Sequence, residues 1–154
     1  MTFSDFETHT KTLISKNLKK ELGKTVKVRQ QHAYTSQTGN TYKIDVSFLV
    51  NILGVDYLTL VECKYWNKRV DREKVGYFKA IIDDLKAQKG IIVTTKGFQK
   101  GAIEYARSQN IALILLRGNK LVVLLYLDLT DFEIEQIMKA VLHVKNELLN
   151  ICYN

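Results

Sequence analysis

The chain contains two carboxylates and a lysine, Asp45, Glu62 and Lys64, whose types and spacing suit the hydrolysis of a phosphodiester bond. Carboxylate oxygens are the ligands that Mg²⁺ and Mn²⁺ prefer, and these ions often bind through one or two carboxylates while keeping several waters. A divalent ion at Asp45 and Glu62 would polarise a phosphoryl oxygen and lower the pKa of water, while Lys64 would stabilise the developing charge. The backbone carbonyl of Cys63 offers a further oxygen ligand, and we expect its thiol to lie in the core.

Two predicted strands position these residues. Residues 42–50 (YKIDVSFLV) alternate apolar and polar side chains, and residues 57–64 (YLTLVECK) are equally strand-like. A hairpin centred on the Leu-Gly step at 53–54 pairs residues whose numbers sum to 107, which puts Asp45 opposite Glu62. Opposed Cβ atoms in an antiparallel pair are about 4.5–5.5 Å apart, and like charges at that distance are destabilising. We therefore expect a cation beside the pair.

The acid pair has a simpler alternative interpretation, a solvated ion-pair patch on the surface of a sheet. Lys43 and Lys64 would share the face of the acids, and for an arbitrary hairpin this interpretation is the more common one. The strand that carries Glu62 is otherwise apolar, however, and a charged residue on a largely buried strand usually needs a partner or a task. This context favours the metal site.

Basic segments flank the acid pair. Residues 1–44 contain eight Lys or Arg against three Asp or Glu, residues 64–107 contain eleven against five, and residues 45–63 contain three acids and no base. Lys and Arg contacts with phosphates supply most of the non-specific affinity of proteins for nucleic acid, so the distribution favours DNA over a merely solvated basic face. The expected phosphate contacts are Lys43, Lys68, Arg69, Arg72 and Lys96. The aromatic residues at 65–66 could stack on bases, although packing is the more common role of such a pair.

Length and composition fit one compact domain over residues 1–154. The 46% hydrophobic content can form one substantial core but not two typical domains. The two cysteines are too few for a disulfide framework and too far apart for a metal-site spacing. There is no signal peptide and no apolar run long enough to cross a bilayer, so we expect a cytoplasmic protein with no membrane partner.

The other elements follow from hydrophobic periodicity and turn residues. Helices are predicted at 3–22, with Ser4 or Asp5 as the cap and Gly23 as the end, at 72–89, ended by Gly90, and at 98–109 and 131–149. Further strands are predicted at 26–34, 91–95, 111–116 and 121–127. The strand, helix, strand order after residue 57 implies right-handed crossovers onto a sheet with parallel members. The fold class is therefore α/β.

The sequence resembles the PD-(D/E)-x-K nucleases. Ile44-Asp45, about sixteen further residues, and then Glu62-Cys63-Lys64 match the D…E-x-K signature, although Ile44 stands where the signature has proline. The surrounding segments (YKIDV, VECKYW and GIIVTTKGFQKGAIEYA) are similar to the nuclease domain of Mrr-type restriction endonucleases, from about residue 3 to residue 116. A C-terminal strand and helix at 121–149 would follow this core.

The resemblance implies a restriction-endonuclease-like core, with a central mixed sheet of about five to six strands flanked by helices. It implies metal ligands at Asp45, Glu62 and the Cys63 carbonyl, a catalytic Lys64, and an additional glutamate near the metal, for which Glu7 is the match. Mrr-type enzymes commonly carry a separate DNA-reading domain, for which this length has no room, so the sequence leaves the specificity for DNA sequence or structure open.

The predicted function is a Mg²⁺- or Mn²⁺-dependent endonuclease that hydrolyses DNA phosphodiester bonds. A homodimer would permit double-strand cleavage. The alternatives are a junction-resolving nuclease of the same superfamily, a non-catalytic DNA-binding module, and a module whose basic surface binds an acidic protein. A pure binder gains nothing from paired acids near phosphate, which favours the enzyme.

Overall fold

The computed structural model describes residues 1–124, so the end of the predicted strand 121–127 and the predicted helix 131–149 lie outside the described residues. The helices are α1 (Phe3–Leu22), α2 (Arg72–Asp84) and α3 (Lys100–Ser108). The strands are β1 (Val28–Thr35), β2 (Thr41–Ile52), β3 (Val55–Lys64), β4 (Lys89–Thr94), β5 (Ile111–Arg117) and β6 (Lys120–Val123). Among these elements, no helix is both long and apolar enough to span a membrane.

The six strands form one mixed sheet in the order β1-β2-β3-β4-β5-β6. The first three strands are antiparallel, β3, β4 and β5 are parallel, and β6 returns antiparallel to β5. The parallel pairs need crossover connections, which α2 and α3 provide. The predicted α/β class with a mixed sheet is confirmed.

The sheet separates two apolar clusters. On one face, α1 contributes Phe6 and Leu13 to a cluster that we call the α1-side core. On the other face, α2 and α3 contribute residues such as Phe78 and Ala102 to the α2/α3-side core. Because both faces are covered, the central strands are almost wholly apolar; β5 is buried along nearly its whole length.

The β2–β3 hairpin has the predicted register. Paired residues run from Val46 with Val61 to Ile52 with Val55, and their numbers sum to 107. Leu53 forms the two-residue turn with the glycine that follows it, and both have positive φ, +54° and +80°. Positive φ at both turn positions matches the type I′ turn, whose twist suits a hairpin.

The predicted alternation along β2 is only partly correct. Val46 and Phe48 pack in the α1-side core, as a strand with a period of two requires. Tyr42 and Ile44, predicted to lie on the same face as these two, pack instead in the α2/α3-side core. The strand therefore changes face at Asp45, which is the residue of greatest chemical interest.

The predicted cap of α1 and the predicted end of α2 are both wrong. Helix α1 has the predicted bounds, but its cap is Thr2, whose side chain and that of Asp5 form a reciprocal capping box. Helix α2 ends at Asp84 and not at residue 89, and Gly90 lies within β4. A Cβ atom at Gly90 would stand 2.2 Å from Ile82 Cδ1, so this glycine permits close packing of α2 on the sheet and does not end a helix.

Candidate active site

Asp45 lies where the β2–β3 ladder ends. The last paired residues are Val46 and Val61, so the predicted pair of Asp45 and Glu62 is not formed as a rung of the ladder. The backbone N–H of Cys63, two residues beyond Val61, donates instead to Asp45 Oδ2 at 2.8 Å. A side-chain oxygen thus takes the place of a backbone acceptor at the fork between the two strands. This bond holds the Asp45 carboxylate against β3, close to Glu62.

Glu62 and Lys64 project from the same face of β3, since residues two apart in a strand share a face. Lys64 Nζ lies 2.5 Å from Glu62 Oε1, and the two side chains are 18% and 19% exposed. The ammonium also lies 5.0 Å from the centre of the Trp66 ring, within cation–π range. Trp66 and Glu62 therefore hold Lys64 at the end of the strand.

Helix α1 brings Glu7 to the same place. Glu7 is 2% exposed, and its Oε1 accepts a hydrogen bond of 2.6 Å from Gln31 Nε2. The same nitrogen lies 3.4 Å from Asp45 Oδ1. Sequence analysis placed Glu7 near the site only through the family resemblance, and it missed Gln31, because a glutamine in a strand carries no signal of such a role.

The Asp45 carboxyl resists ionisation. Burial, the largest cause, and the negative charges of Glu62 and Glu7 together raise its pKa to about 7, while the hydrogen bond from Cys63 opposes the increase. Around Asp45, residues 1–124 bring together the carboxylates of Glu62 and Glu7, and the ammonium of Lys64 pairs with Glu62. This excess of negative charge on partly buried oxygen ligands fits a divalent cation. Within residues 1–124, however, no group of His, Cys, Asp or Glu side chains already has the spacing of a formed metal site.

The Cys63 side chain takes no part in this chemistry. Its thiol is fully buried in the α1-side core, as predicted, and burial raises the pKa of the thiol well above its ordinary value, with the charge of Asp45 adding to the effect. A thiol so protonated is a poor nucleophile.

The predicted phosphate contacts surround the site unevenly. Lys68 and Lys96 are exposed and lie on the segments that follow β3 and β4, and Lys68 Nζ lies 5.8 Å from the centre of the Trp66 ring. Lys43 is exposed, and it pairs with Ala33 of β1. Since the β2–β3 ladder ends at Val46, Lys43 does not lie opposite Lys64 as predicted. Arg72 stacks on the Tyr105 ring of α3 at 5.0 Å. Arg69 is partly buried in the loop before α2.

A cavity of about 480 Å³ opens at the carboxyl ends of β3, β4 and β5. Its lining includes Lys96 and Arg117 together with Trp66 and the neighbouring Tyr65, and no Asp or Glu of the described residues lines it. Within residues 1–124, two nitrogens of Arg117, Nε and Nη2, are buried without a hydrogen-bond partner. Trp66 lies beside the Lys64 ammonium as well, so this basic cavity adjoins the strand end that carries Lys64 and has room for a nucleic-acid phosphate.

The mixed sheet, with a D…E-x-K set where β2 and β3 separate, agrees with a restriction-endonuclease-like nuclease. The family Mrr_cat, described as restriction endonuclease, matches residues 1–125, so the chain belongs to that family. The resemblance predicted from the sequence is confirmed, and the chain is a restriction-endonuclease-like DNA nuclease domain.

Three solved structures are similar to this chain, and the first of them, with a TM-score above 0.5, shares its fold. The crystal structure of a protein of unknown function, AF1548, matches 87% of this chain and 78% of that chain, with 17% identity and a TM-score of 0.55. MspJI restriction endonuclease in complex with a 27-mer oligonucleotide matches 73% of this chain and 25% of that chain, with 17% identity and a TM-score of 0.49. The DNA modification-dependent restriction endonuclease AspBHI matches 71% of this chain and 32% of that chain, with 13% identity and a TM-score of 0.41. This chain thus spans a minor part of the last two enzymes. No curated protein matches it.

Proposed function

We propose that this nuclease domain is an endonuclease that hydrolyses DNA phosphodiester bonds with Mg²⁺ or Mn²⁺. The observation that carries the proposal is the meeting of Asp45, Glu62 and Lys64 at the fork of β2 and β3, where the pKa of Asp45 is raised to about 7. Burial and neighbouring carboxylates disfavour the ionised form of Asp45, and a bound cation would stabilise that form.

Asp45 and Glu62 would hold the cation, and the carbonyl of Cys63 would add a third oxygen. In an antiparallel ladder, a residue directs its N–H and its C=O to the same neighbouring strand. Because the Cys63 N–H points to Asp45, its carbonyl is directed into the same fork. Glu7 is close enough to Asp45 to influence its pKa and would act as a further ligand or as support for one.

When bound, the divalent cation supplies activation of a water molecule and stabilisation of charge on the scissile phosphate. Lys64 supplies the remaining positive charge, and its position within hydrogen-bond reach of Glu62 allows it to donate to a phosphoryl oxygen or to the attacking water. Trp66 restricts the motion of Lys64 by packing beside its ammonium. The chain thus provides oxygen ligands and one fixed cationic donor.

The DNA backbone would cross the ends of β3 and β4. Lys68 and Lys96 lie there, exposed, and the cationic cavity lies beside them. Lys43, Arg69 and Arg72 are proposed as more peripheral contacts. A homodimer would place two sites on opposite strands and allow double-strand cleavage, whereas a monomer would nick; dimerisation and a cytoplasmic location stay predictions.

The test is cleavage of supercoiled plasmid with Mg²⁺ or Mn²⁺ by the intact protein and by Asp45→Ala and Lys64→Ala. Asp56→Ala is the matched control, because Asp56 is an exposed aspartate of the same hairpin that bonds to Asn51. We expect cutting that requires the metal, is lost in both site variants and persists in the control.

Binding of DNA without cleavage of plasmid or branched substrates by the intact protein would replace the endonuclease with the non-catalytic module. Cleavage confined to four-way junctions would support the junction-resolving alternative.

A further inference from the structure

Two consecutive residues of β1 contact the same helix. Gln30 Nε2 donates to Thr8 Oγ1 at 3.0 Å, and Gln31 Nε2 donates to Glu7 Oε1 at 2.6 Å, so both side chains lie against α1. Successive side chains of a regular strand point to opposite faces of the sheet. The strand must therefore depart from regular geometry at this step.

The departure is at Gln31, whose φ is +51°. Residues other than glycine rarely adopt this left-handed conformation, and it persists only where the surrounding structure enforces it. The neighbouring pairs are Gln30 with Val46 and His32 with Ile44, so Gln31 lies at the same level as Asp45. Both strands thus change face at the level of the active site.

The unusual backbone places one amide between two carboxylates. Gln31 Nε2 lies 2.6 Å from Glu7 Oε1 and 3.4 Å from Asp45 Oδ1. A glutamine amide has two N–H donors, and carboxylates only accept, so the nitrogen must be the atom that faces them. Glu7 is 2% exposed, and a buried carboxylate needs a donor in place of water.

We propose that Gln31 is a positioning residue of the active site, whose amide holds the carboxylates of Glu7 and Asp45 in the arrangement that receives the divalent cation. This inference rests on the proposed metal site. This role accounts for the strained backbone, because the left-handed conformation brings the Gln31 side chain to the side of α1, where it meets both acids. Residues that orient metal ligands typically change metal affinity by about 10- to 100-fold when they are replaced.

A purely structural role is the competing explanation, since Gln31 also ties β1 to α1. The chain offers a matched control for it. Gln30 has the same side chain on the same strand and bonds to the same helix, but its partner Thr8 is not an acid of the site. Replacing either glutamine by leucine removes one contact between β1 and α1. Only Gln31→Leu also removes hydrogen bonds to carboxylates of the site.

The experiment measures Mn²⁺ binding through the loss of the free-ion EPR signal, together with thermal unfolding, for the intact protein, Gln31→Leu and Gln30→Leu. We expect Gln31→Leu to weaken Mn²⁺ binding by about 10- to 100-fold. Gln30→Leu should change it little, even if the two variants lose similar thermal stability. In cleavage assays, Gln31→Leu should need more metal for half-maximal rate.

Gln31→Gly provides a second variant that removes the amide while accepting the left-handed backbone without strain. It should bind Mn²⁺ as weakly as Gln31→Leu but unfold at a higher temperature than that variant. Unchanged Mn²⁺ affinity in Gln31→Gly would overturn the positioning role and leave the proposed function intact. Mn²⁺ binding that is also unchanged by Asp45→Asn would overturn the metal site itself.

Discussion

The backbone N–H of Cys63 donates to the side chain of Asp45 at 2.8 Å, just beyond Val46 and Val61, the last paired residues of β2 and β3. This bond lies where the β2–β3 ladder ends and the candidate active site begins. It fixes the Asp45 carboxylate without neutralising it, because an amide donor carries no net charge. The remaining negative charge is available to a cation and has measurable consequences.

The first prediction concerns the pH dependence of stability without metal. Asp45 retains its proton up to about pH 7 in the folded protein, but only up to about its ordinary value of 3.8 when unfolded. Between these values the folded state binds more protons, so the contribution of Asp45 to the free energy of unfolding falls as pH rises. Urea unfolding in EDTA at pH 5 and pH 8 should show a smaller loss of stability in Asp45→Asn than in the intact protein.

Asp56→Asn is the control for this comparison, because Asp56 is exposed on the hairpin, and it should follow the intact protein. Adding Mn²⁺ at pH 8 should stabilise the intact protein but not Asp45→Asn, since metal ligands must be deprotonated. Equal pH dependence in Asp45→Asn and the intact protein would show that this carboxyl does not titrate in the expected range.

The second prediction concerns DNA binding by Lys96, measured by fluorescence anisotropy in the non-cleaving Asp45→Asn background. Lys96 is exposed on the cavity rim beside the site. Lys96→Ala should weaken binding similarly for all sequences and reduce the salt slope by about 1, the value for one lost phosphate contact.

The control for Lys96 is Lys20→Ala. Lys20 is exposed near the C-terminus of α1, about 20 Å along the helix from Glu7 at about 1.5 Å per residue. It should leave the salt slope unchanged. An equal effect of both replacements would indicate a diffuse response to net charge and not a contact at the site.

Short-range patterns made much of this fold predictable. The register of the hairpin followed from a period of two on each side of a Leu-Gly turn, and the bounds of α1 followed from one apolar stripe and the left-handed Gly23 at its end. The family resemblance then indicated that Glu7 lies near the metal site. Each of these signals is contained in a few neighbouring residues.

Features that depend on contacts between distant elements were not predictable. The end of the β2–β3 ladder at Val46 and the change of face at Asp45 arise from packing against both helical layers. The left-handed conformation of Gln31 has no sequence signal, because it is imposed by the acids and by α1. Glycine often ends helices, so the sequence predicts a helix end at Gly90, whereas its role in the structure is set by Ile82 of α2, which packs against it.

The third prediction tests that role with two glycines, Gly90 in β4 and Gly76 in α2. Gly90→Ala would place a Cβ atom 2.2 Å from Ile82 Cδ1 and 3.1 Å from Phe78 Cε1, and the overpacking should lower the free energy of unfolding by about 1–3 kcal/mol. Gly76→Ala, inside α2, meets only Tyr105 Cε1 at 3.7 Å and should raise it by about 0.5–1 kcal/mol through helix propensity. Urea unfolding of the two variants should show effects of opposite sign. Little or no loss of stability in Gly90→Ala would mean that α2 is displaced easily and that the glycine is not needed for packing.

The fourth prediction concerns the hairpin turn. Leu53 is 99% exposed and has a φ of +54°, so it contributes strain and no packing. Asparagine tolerates this conformation and precedes glycine in type I′ turns, so Leu53→Asn should raise the free energy of unfolding by up to about 1 kcal/mol. Leu53→Val should lower it, because a β-branched side chain is the least compatible with positive φ.

Neither turn variant should alter cleavage, since Leu53 is eight residues along β2 from Asp45, or about 26 Å at about 3.3 Å per residue. Thermal unfolding and plasmid cleavage measured on the same preparations provide the check. A change in cleavage at unchanged metal affinity would mean that the exposed hairpin tip contacts DNA or a second copy of the chain during the reaction. That contact would extend the DNA-binding surface to the far end of the sheet.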